Sequence, residues 1–443
     1  MPAHFRSRSA ALGAAVLLLG ACHGANRPSS ALLSTSTDAQ LRADVAQLAG
    51  PAFEGRGTGT PGNDSAAVFI ARRYNALRLS SIAQADRAAC AKGGVTGSAD
   101  CFILPFTANV PVRNGAPRQL KTQNVAAIIP GNGPLAGEYV IVGAHFDHLG
   151  RDSSSARDPE KGRVVRPGAD DNGSGTAAVM EVARRLAKRP ANRTIVIANF
   201  TGEELGLIGA EQFASHLPVP KEKVQAMVNL DMVGRMKNDK LIVYGVLTAT
   251  EMKEIVEAAN VEPKLTISAV GDGEGPSDHA AFYRKDLPAL HLFTDLHDDY
   301  HTAVDVAERL NIDGLVRVVD YTERVVRALA DRPGRVTFQR VQTAGANRPS
   351  ARAGSGVYLG TIPDMGAADV KGMQISGVRP GSPAEQGGIK AGDIIVKFGP
   401  KVITNIYDYT DALGAYKPGD AVEIVVKRGG SEVTLQITLG KRG

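Results

Sequence analysis

Tryptophan is absent from this chain of 443 residues, and all aromatics together make up 5% of it. That scarcity singles out no function by itself. A basic stripe with interleaved aromatics is missing as well, and this excludes a nucleic-acid surface. The formal net charge of +5 is small and scattered, and two of its units are Arg6 and Arg8 near the start. The apolar run Ala10–Leu19 is shorter than the roughly 20 residues a membrane span needs, and no later stretch approaches that length. Cysteine occurs three times, at positions 22, 90 and 101, in spacings that do not suit a zinc knuckle. What remains is 43% hydrophobic and 22% charged, the balance of a folded, soluble protein. Its length calls for two or more domains.

The first residues read as a targeting segment. Arg6 and Arg8 precede the apolar run, and Gly20-Ala21-Cys22 follows it, the order of a secretory signal over residues 1–21. Leu19-Gly20-Ala21-Cys22 resembles a bacterial lipobox, which implies lipidation of Cys22 after cleavage. An ordinary signal peptide with an incidental cysteine is the plainer alternative. His23 rather than aspartate follows, so the lipoprotein analogy favours the outer membrane; the expected location is exported, periplasmic or outer-membrane, with the lipid as sole membrane contact. Residues 22–37 are rich in Ser, Thr, Ala and Pro, as in a flexible tether. Cys90 and Cys101 then form an even pair in an oxidising compartment, across a turn-rich stretch, and a disulfide is expected; two buried thiols are the other reading.

From 38 to 332, short apolar runs alternate with helical patterns, which predicts an α/β domain with a mixed, mostly parallel sheet and helices on both faces. Strands are expected at Tyr139–Ala144, Thr194–Phe200 and Val224–Leu230, and more weakly at Leu241–Gly245 and Pro288–Phe293. Helical stripes run through Ser174–Lys188 and Ile312–Ala330. Residues 333–353 have no apolar periodicity and read as a linker. Short strands, turns and one helical stretch over 354–443 predict a small β-rich unit.

Five stretches put metal-capable side chains at the ends of such runs. They are Gly143-Ala144-His145-Phe146-Asp147, Gly168 to Gly175 with Asp170-Asp171, Thr201-Gly202-Glu203-Glu204, Asn229-Leu230-Asp231-Met232 and Tyr300-His301-Thr302. In an open α/β sheet, side chains beyond the carboxyl ends of the strands can converge on one site. Singly, each stretch is unremarkable: a surface His–Asp pair, a helix cap, a solvated Glu-Glu. Together and in this order, they resemble the co-catalytic zinc aminopeptidases of the bacterial leucyl aminopeptidase and aminopeptidase S type. Glu54 to Gly62 and Thr122-Gln123-Asn124-Val125 extend the likeness.

That resemblance implies the zinc exopeptidase fold, two zinc ions and peptide substrates cut at the N-terminus. It assigns His145 and Asp231 to one ion, Glu204 and His301 to the other, and Asp171 to both. Glu203 matches the general base, and Asp147 the carboxylate that orients His145. Carboxypeptidases and glutaminyl cyclases share the scaffold and stay open as alternatives, as does a non-catalytic peptide-binding adaptor. His148, His279, His291 and His297 could ligate by residue type. Of these, His291 sits in an apolar run and reads as a buried, hydrogen-bonded residue. Ser277 either caps a helix or lines the substrate pocket, which Tyr300 could also reach.

Residues 354–441 resemble a PDZ domain of the kind fused to bacterial envelope proteases, through Val357 to Gly360, Val378 to Ala384 and Gly388 to Ile395. The likeness implies either capture of peptide C-termini at Tyr358-Leu359-Gly360-Thr361 or a purely structural role.

Overall fold

The computed structural model describes residues 1, 35–82, 98–110, 117–275, 277–341, 357–363, 370–379, 381–404 and 406–441. The leader, Cys22, most of the tether, Cys90 and most of the linker lie outside these described residues. Cys101 is disulfide-bonded.

Helices α1 (Thr37–Leu48) and α2 (Pro61–Ala76) come first. The α2 start is encoded locally: Thr60 Oγ1 accepts the Asn63 N–H, and Pro61 pre-sets the first helical φ. The short strand β1 (Ser80–Ser81) and the antiparallel pair β2 (Ile103–Val110) and β3 (Arg118–Ile129) follow. The central run is β4 (Tyr139–His145), α3 (Gly175–Lys188), β5 (Thr194–Phe200), α4 (Ile208–Ser215) and β6 (Val224–Leu230). After it come β7 (Lys240–Tyr244), α5 (Met252–Ala258), β8 (Thr266–Val270), α6 (His279–Tyr283), β9 (Ala289–Phe293) and the long α7 (Ile312–Asp331).

The sheet order is β1-β3-β5-β4-β6-β9-β7-β8, with β2 on β3. Strands β5, β4, β6 and β9 run parallel in the middle, β3 joins β5 and β7 joins β9 antiparallel, and β8 runs parallel to β7. The sheet is therefore mixed. Every residue of β5 and β6 is buried, as expected for strands covered on both faces. Side-chain alternation splits β5 between two cores: Ile195 and Ile197 pack with α1, α2, α3 and α7, while Val196, Ala198 and Phe200 pack against α4 and α6. The β2–β3 pair was not among the expected strands: Pro105 interrupts the apolar start of β2, and the polar first half of β3 hides the run Val125–Ile129 at its end.

The C-terminal unit contains β10 (Val357–Tyr358), β11 (Thr361–Pro363), β12 (Met373–Val378), α8 (Pro383–Gln386), β13 (Ile394–Phe398), β14 (Lys401–Val402), α9 (Ile406–Gly414), β15 (Ala421–Arg428), β16 (Ser431–Thr438) and β17 (Gly440–Lys441). Its own apolar core includes Leu359, Ile375, Ile395, Phe398 and Ile424. Asp393, in the Gly-Asp pair after residue 391, accepts hydrogen bonds from Arg428 and from the Lys390 amide.

Candidate metal centre

Four of the parallel strands end beside one another, and their following loops carry the acidic and imidazole groups. His145 closes β4, Glu203 and Glu204 follow β5, Asp231 follows β6, and His301 lies beyond β9. Asp171 sits in the irregular turn that leads into α3, with a cis peptide bond to Asn172.

Two donor groups form around Asp171. His145 Nε2 lies 3.2 Å from Asp231 Oδ1 and 3.5 Å from Asp171 Oδ1. On the other side, His301 Nε2 lies 3.1 Å from both Asp171 Oδ2 and Glu204 Oε2. In each group the candidate ligand atoms lie within 4.8 Å of one another. The structure thus brings together His145, Asp171, Glu204, Asp231 and His301, and it adds His148 to the second group, with Nδ1 2.8 Å from Glu204 Oε1.

Surrounding groups fix these side chains. Asp231 Oδ2 accepts the Ser277 hydroxyl at 2.7 Å, so Ser277 serves Asp231; α6, which begins beyond it, has no side-chain cap. His301 Nδ1 meets Ser155 O at 3.0 Å, and its ring stacks on Tyr300 with centroids 3.8 Å apart. The Asp171 turn is held from below by Asp305, whose carboxylate accepts the backbone N–H groups of Asp170 and Asp171. Asp170 faces away from the donor groups, accepting the Gly234 N–H and contacting His297 Nε2. Arg56 is completely buried and donates to the carbonyls of Leu48, Phe146, Pro167 and Gly168, stapling the β4 loop to the Asp171 loop. Asp147 Oδ1 lies 3.6 Å from His145 Nδ1, which also contacts the Asp147 carbonyl at 3.2 Å. His291 is buried, stacks on His279 with centroids 4.6 Å apart and stays outside both donor groups, as does His279.

The adjacent glutamates are driven apart. Burial, with the carboxylates of Glu204 and Asp231 adding to it against the pull of His145, raises Glu203 well above the ordinary glutamate range. Glu204 is held well below that range: burial opposes its ionisation, but His301 and His148 prevail. Burial also works against a charged His301, yet Glu204 and Asp171 raise it to about 10.

These features fit cations. Three acidic side chains and two or three imidazoles converge in a buried space where uncompensated charge is costly. With Nδ1 of His301 engaged by Ser155 O, it is Nε2 that faces Asp171 Oδ2 and Glu204 Oε2, the nitrogen that could turn to a metal once its proton is displaced. Nitrogen and carboxylate oxygen are the donor types zinc accepts.

Comparisons with known proteins agree. The model of peptidase family M28 matches residues 124–326, which include every donor residue, and the PDZ domain model matches residues 347–439. A probable leucine aminopeptidase of Trichophyton verrucosum is 33% identical over 212 residues, 45% of this chain and 53% of that protein. The chain thus spans about half the length of the curated relatives it matches. BSAP, a zinc aminopeptidase from Bacillus subtilis, superposes with a TM-score of 0.51 at 20% identity, covering 67% of this chain and 95% of that one. A glutaminyl cyclase of Porphyromonas gingivalis gives 0.52 at 17% identity, covering 66% and 97%. The fold is that of the zinc exopeptidases. More narrowly, residues 124–326 match the model of peptidase family M28, and residues 347–439 match that of a PDZ domain.

Proposed function

We propose that this protein is a zinc-dependent aminopeptidase that removes N-terminal residues from peptides. The observation that carries this reading is the sharing of Asp171 between the His145–Asp231 and Glu204–His301 groups, with Glu203 beside them. Two zinc ions fit the two groups. When bound, zinc supplies a Lewis acid that polarises the scissile carbonyl and brings the pKa of water down toward roughly 7.

The protein's own residues do the rest. Glu203 takes a proton from the attacking water at its carboxylate and returns it to the leaving amine nitrogen. A carboxyl whose proton affinity burial has raised is suited to both halves of that task near neutral pH, a role worth about 10²- to 10⁴-fold in rate. Asp147 and Ser277 hold Glu203 and Asp231 in place. Carboxylates around the centre would also receive the substrate's free α-amino group, which accounts for removal of one residue at a time.

Carboxypeptidase or cyclase chemistry would use the same scaffold, and an adaptor would need no chemistry. The complete His145–Asp231 group beside Asp171 favours a hydrolase with both positions filled. The PDZ domain would offer peptide C-termini an edge strand. Export and a lipid anchor at Cys22 complete the reading.

Free, N-blocked and C-blocked dipeptides, assayed with added zinc, test it. Turnover of free and C-blocked substrates but not N-blocked ones is expected. Preference for N-blocked substrates would overturn the aminopeptidase assignment, and absence of bound zinc would overturn the enzyme.

A further inference from the structure

The two donor groups are not equivalent. Beside Asp171, one offers His145 and Asp231, whereas the other offers Glu204, His301 and also His148. His148 is 1% exposed, and its ring is wedged in place. Gly168, at a φ of +58°, lies so close that a Cβ there would stand 2.4 Å from the ring. From this position Nδ1 lies 2.8 Å from Glu204 Oε1 and 3.6 Å from Asp171 Oδ2, and the ring meets His301 edge-on with centroids 5.5 Å apart.

The spacing is informative. Donors about 2.0–2.1 Å from a tetrahedral zinc stand about 3.3 Å from each other. Around this group His148 Nδ1 and His301 Nε2 lie 3.6 and 3.1 Å from Asp171 Oδ2, and 2.8 and 3.1 Å from Glu204 Oε1 and Oε2 respectively, with one donor atom of each of the four residues within 4.8 Å of the rest. These distances scatter about the tetrahedral edge. The other group spans 3.5 and 3.2 Å with three donors, leaving one corner free of protein.

From this we infer that His148 is a fourth protein donor to the ion held by Asp171, Glu204 and His301, so that one metal position is closed by protein and the other stays open. Four protein donors characterise retained, structural zinc, and three with an open corner characterise reactive zinc. The inference rests on the metal-centre reading above and adds a division of labour to it.

Competitive titration of the metal-free full-length protein with zinc and a chromophoric chelator tests it. The expected result is two equivalents, the first at least about tenfold tighter. His148→Ala should weaken the first equivalent about tenfold or more and spare the second. Asp231→Asn should weaken the second and spare the first. Cobalt gives a second readout: one equivalent in the wild-type protein should give the intense visible absorption of a four-coordinate ion, and His148→Gln should weaken that band. Two equivalents of equal affinity, a first equivalent indifferent to His148→Ala, or a weak six-coordinate cobalt spectrum would overturn the inference while leaving a two-metal enzyme intact. Absence of zinc binding altogether would overturn it together with the proposed function.

Discussion

The backbone N–H of Glu203 donates to Asp147 Oδ1 over 3.1 Å, joining the loop after β5 to the loop after β4. The same buried carboxylate accepts the Thr58 hydroxyl at 2.7 Å and lies 3.6 Å from His145 Nδ1. One side chain therefore sets a proposed metal donor and the proposed base together. Asp147→Ala should lower kcat about 10- to 100-fold and weaken zinc at the His145 position. Asp147→Asn keeps one acceptor oxygen and should fall between. Steady-state kinetics with metal analysis check this; an unchanged kcat in Asp147→Ala would remove the carboxylate from the mechanism.

Glu203 and Glu204 are neighbours whose environments push their proton affinities in opposite directions, the usual sign of divided roles. Glu203→Ala should cut kcat by about 10²- to 10⁴-fold while the protein retains its zinc. Glu204→Ala should lose metal first. If Glu203→Ala emptied the centre, the two glutamates would have to exchange roles.

Zinc affinity should rise with pH. In the metal-free centre, nearby carboxylates keep His301 protonated up to about 10, and His145 is likewise raised well above the usual imidazole range. A metal must displace those protons, because only neutral imidazole ligates. Between pH 6 and 9, affinity should therefore increase by up to about tenfold per pH unit for each proton displaced. Glu204 is already ionised and adds nothing to this slope. Calorimetry in buffers of different ionisation enthalpy counts the released protons; pH-independent binding with no release would contradict the assignment.

How much of this was legible in the sequence follows from range. His145, Glu203, Glu204 and Asp231 stand where buried apolar strands end, so local pattern and chain order mark them. His148 stands three residues beyond His145 in the same stretch, but what turns its ring inward is Gly168 and the Arg56-stapled loop, both distant in sequence. Asp305 was invisible for a similar reason, since it acts by accepting backbone amides of a turn more than a hundred residues away. Of the two aspartates in Asp170-Asp171, the family pattern alone preferred the second. The turn geometry supplies the physical reason, by spending Asp170 on the Gly234 amide and His297.

Among the described residues Arg56 has no carboxylate hydrogen-bond partner; its guanidinium is spent on four backbone carbonyls. Burial lowers its pKa to about 10, with Asp171 and Asp305 pulling back, so it is charged at neutral pH. Arg56→Ala would leave those carbonyls unpaired and free both loops. A loss on the order of 3–5 kcal/mol is expected, with weaker zinc retention. Lysine cannot reproduce the planar fork, so Arg56→Lys should recover only part of the stability. Chemical denaturation checks the magnitude; a loss below about 1 kcal/mol would mean the loops hold themselves.

The apolar cores of the two units share no residue: those of the peptidase domain draw on residues 41–338 and that of the PDZ domain on residues 357–439. Units with separate cores can unfold separately. The proposed metal centre belongs wholly to the first, so zinc should stabilise that unit alone, by about 2.7 kcal/mol for each site at which free zinc is a hundred times its Kd. Scanning calorimetry of the full chain should therefore resolve two transitions, and a chelator should lower the Tm of one and leave the other in place. A fragment ending at Val341 should reproduce the zinc-sensitive transition and its dipeptide hydrolysis. One cooperative transition that moves as a whole on chelation would instead mean that the PDZ domain is energetically part of the peptidase.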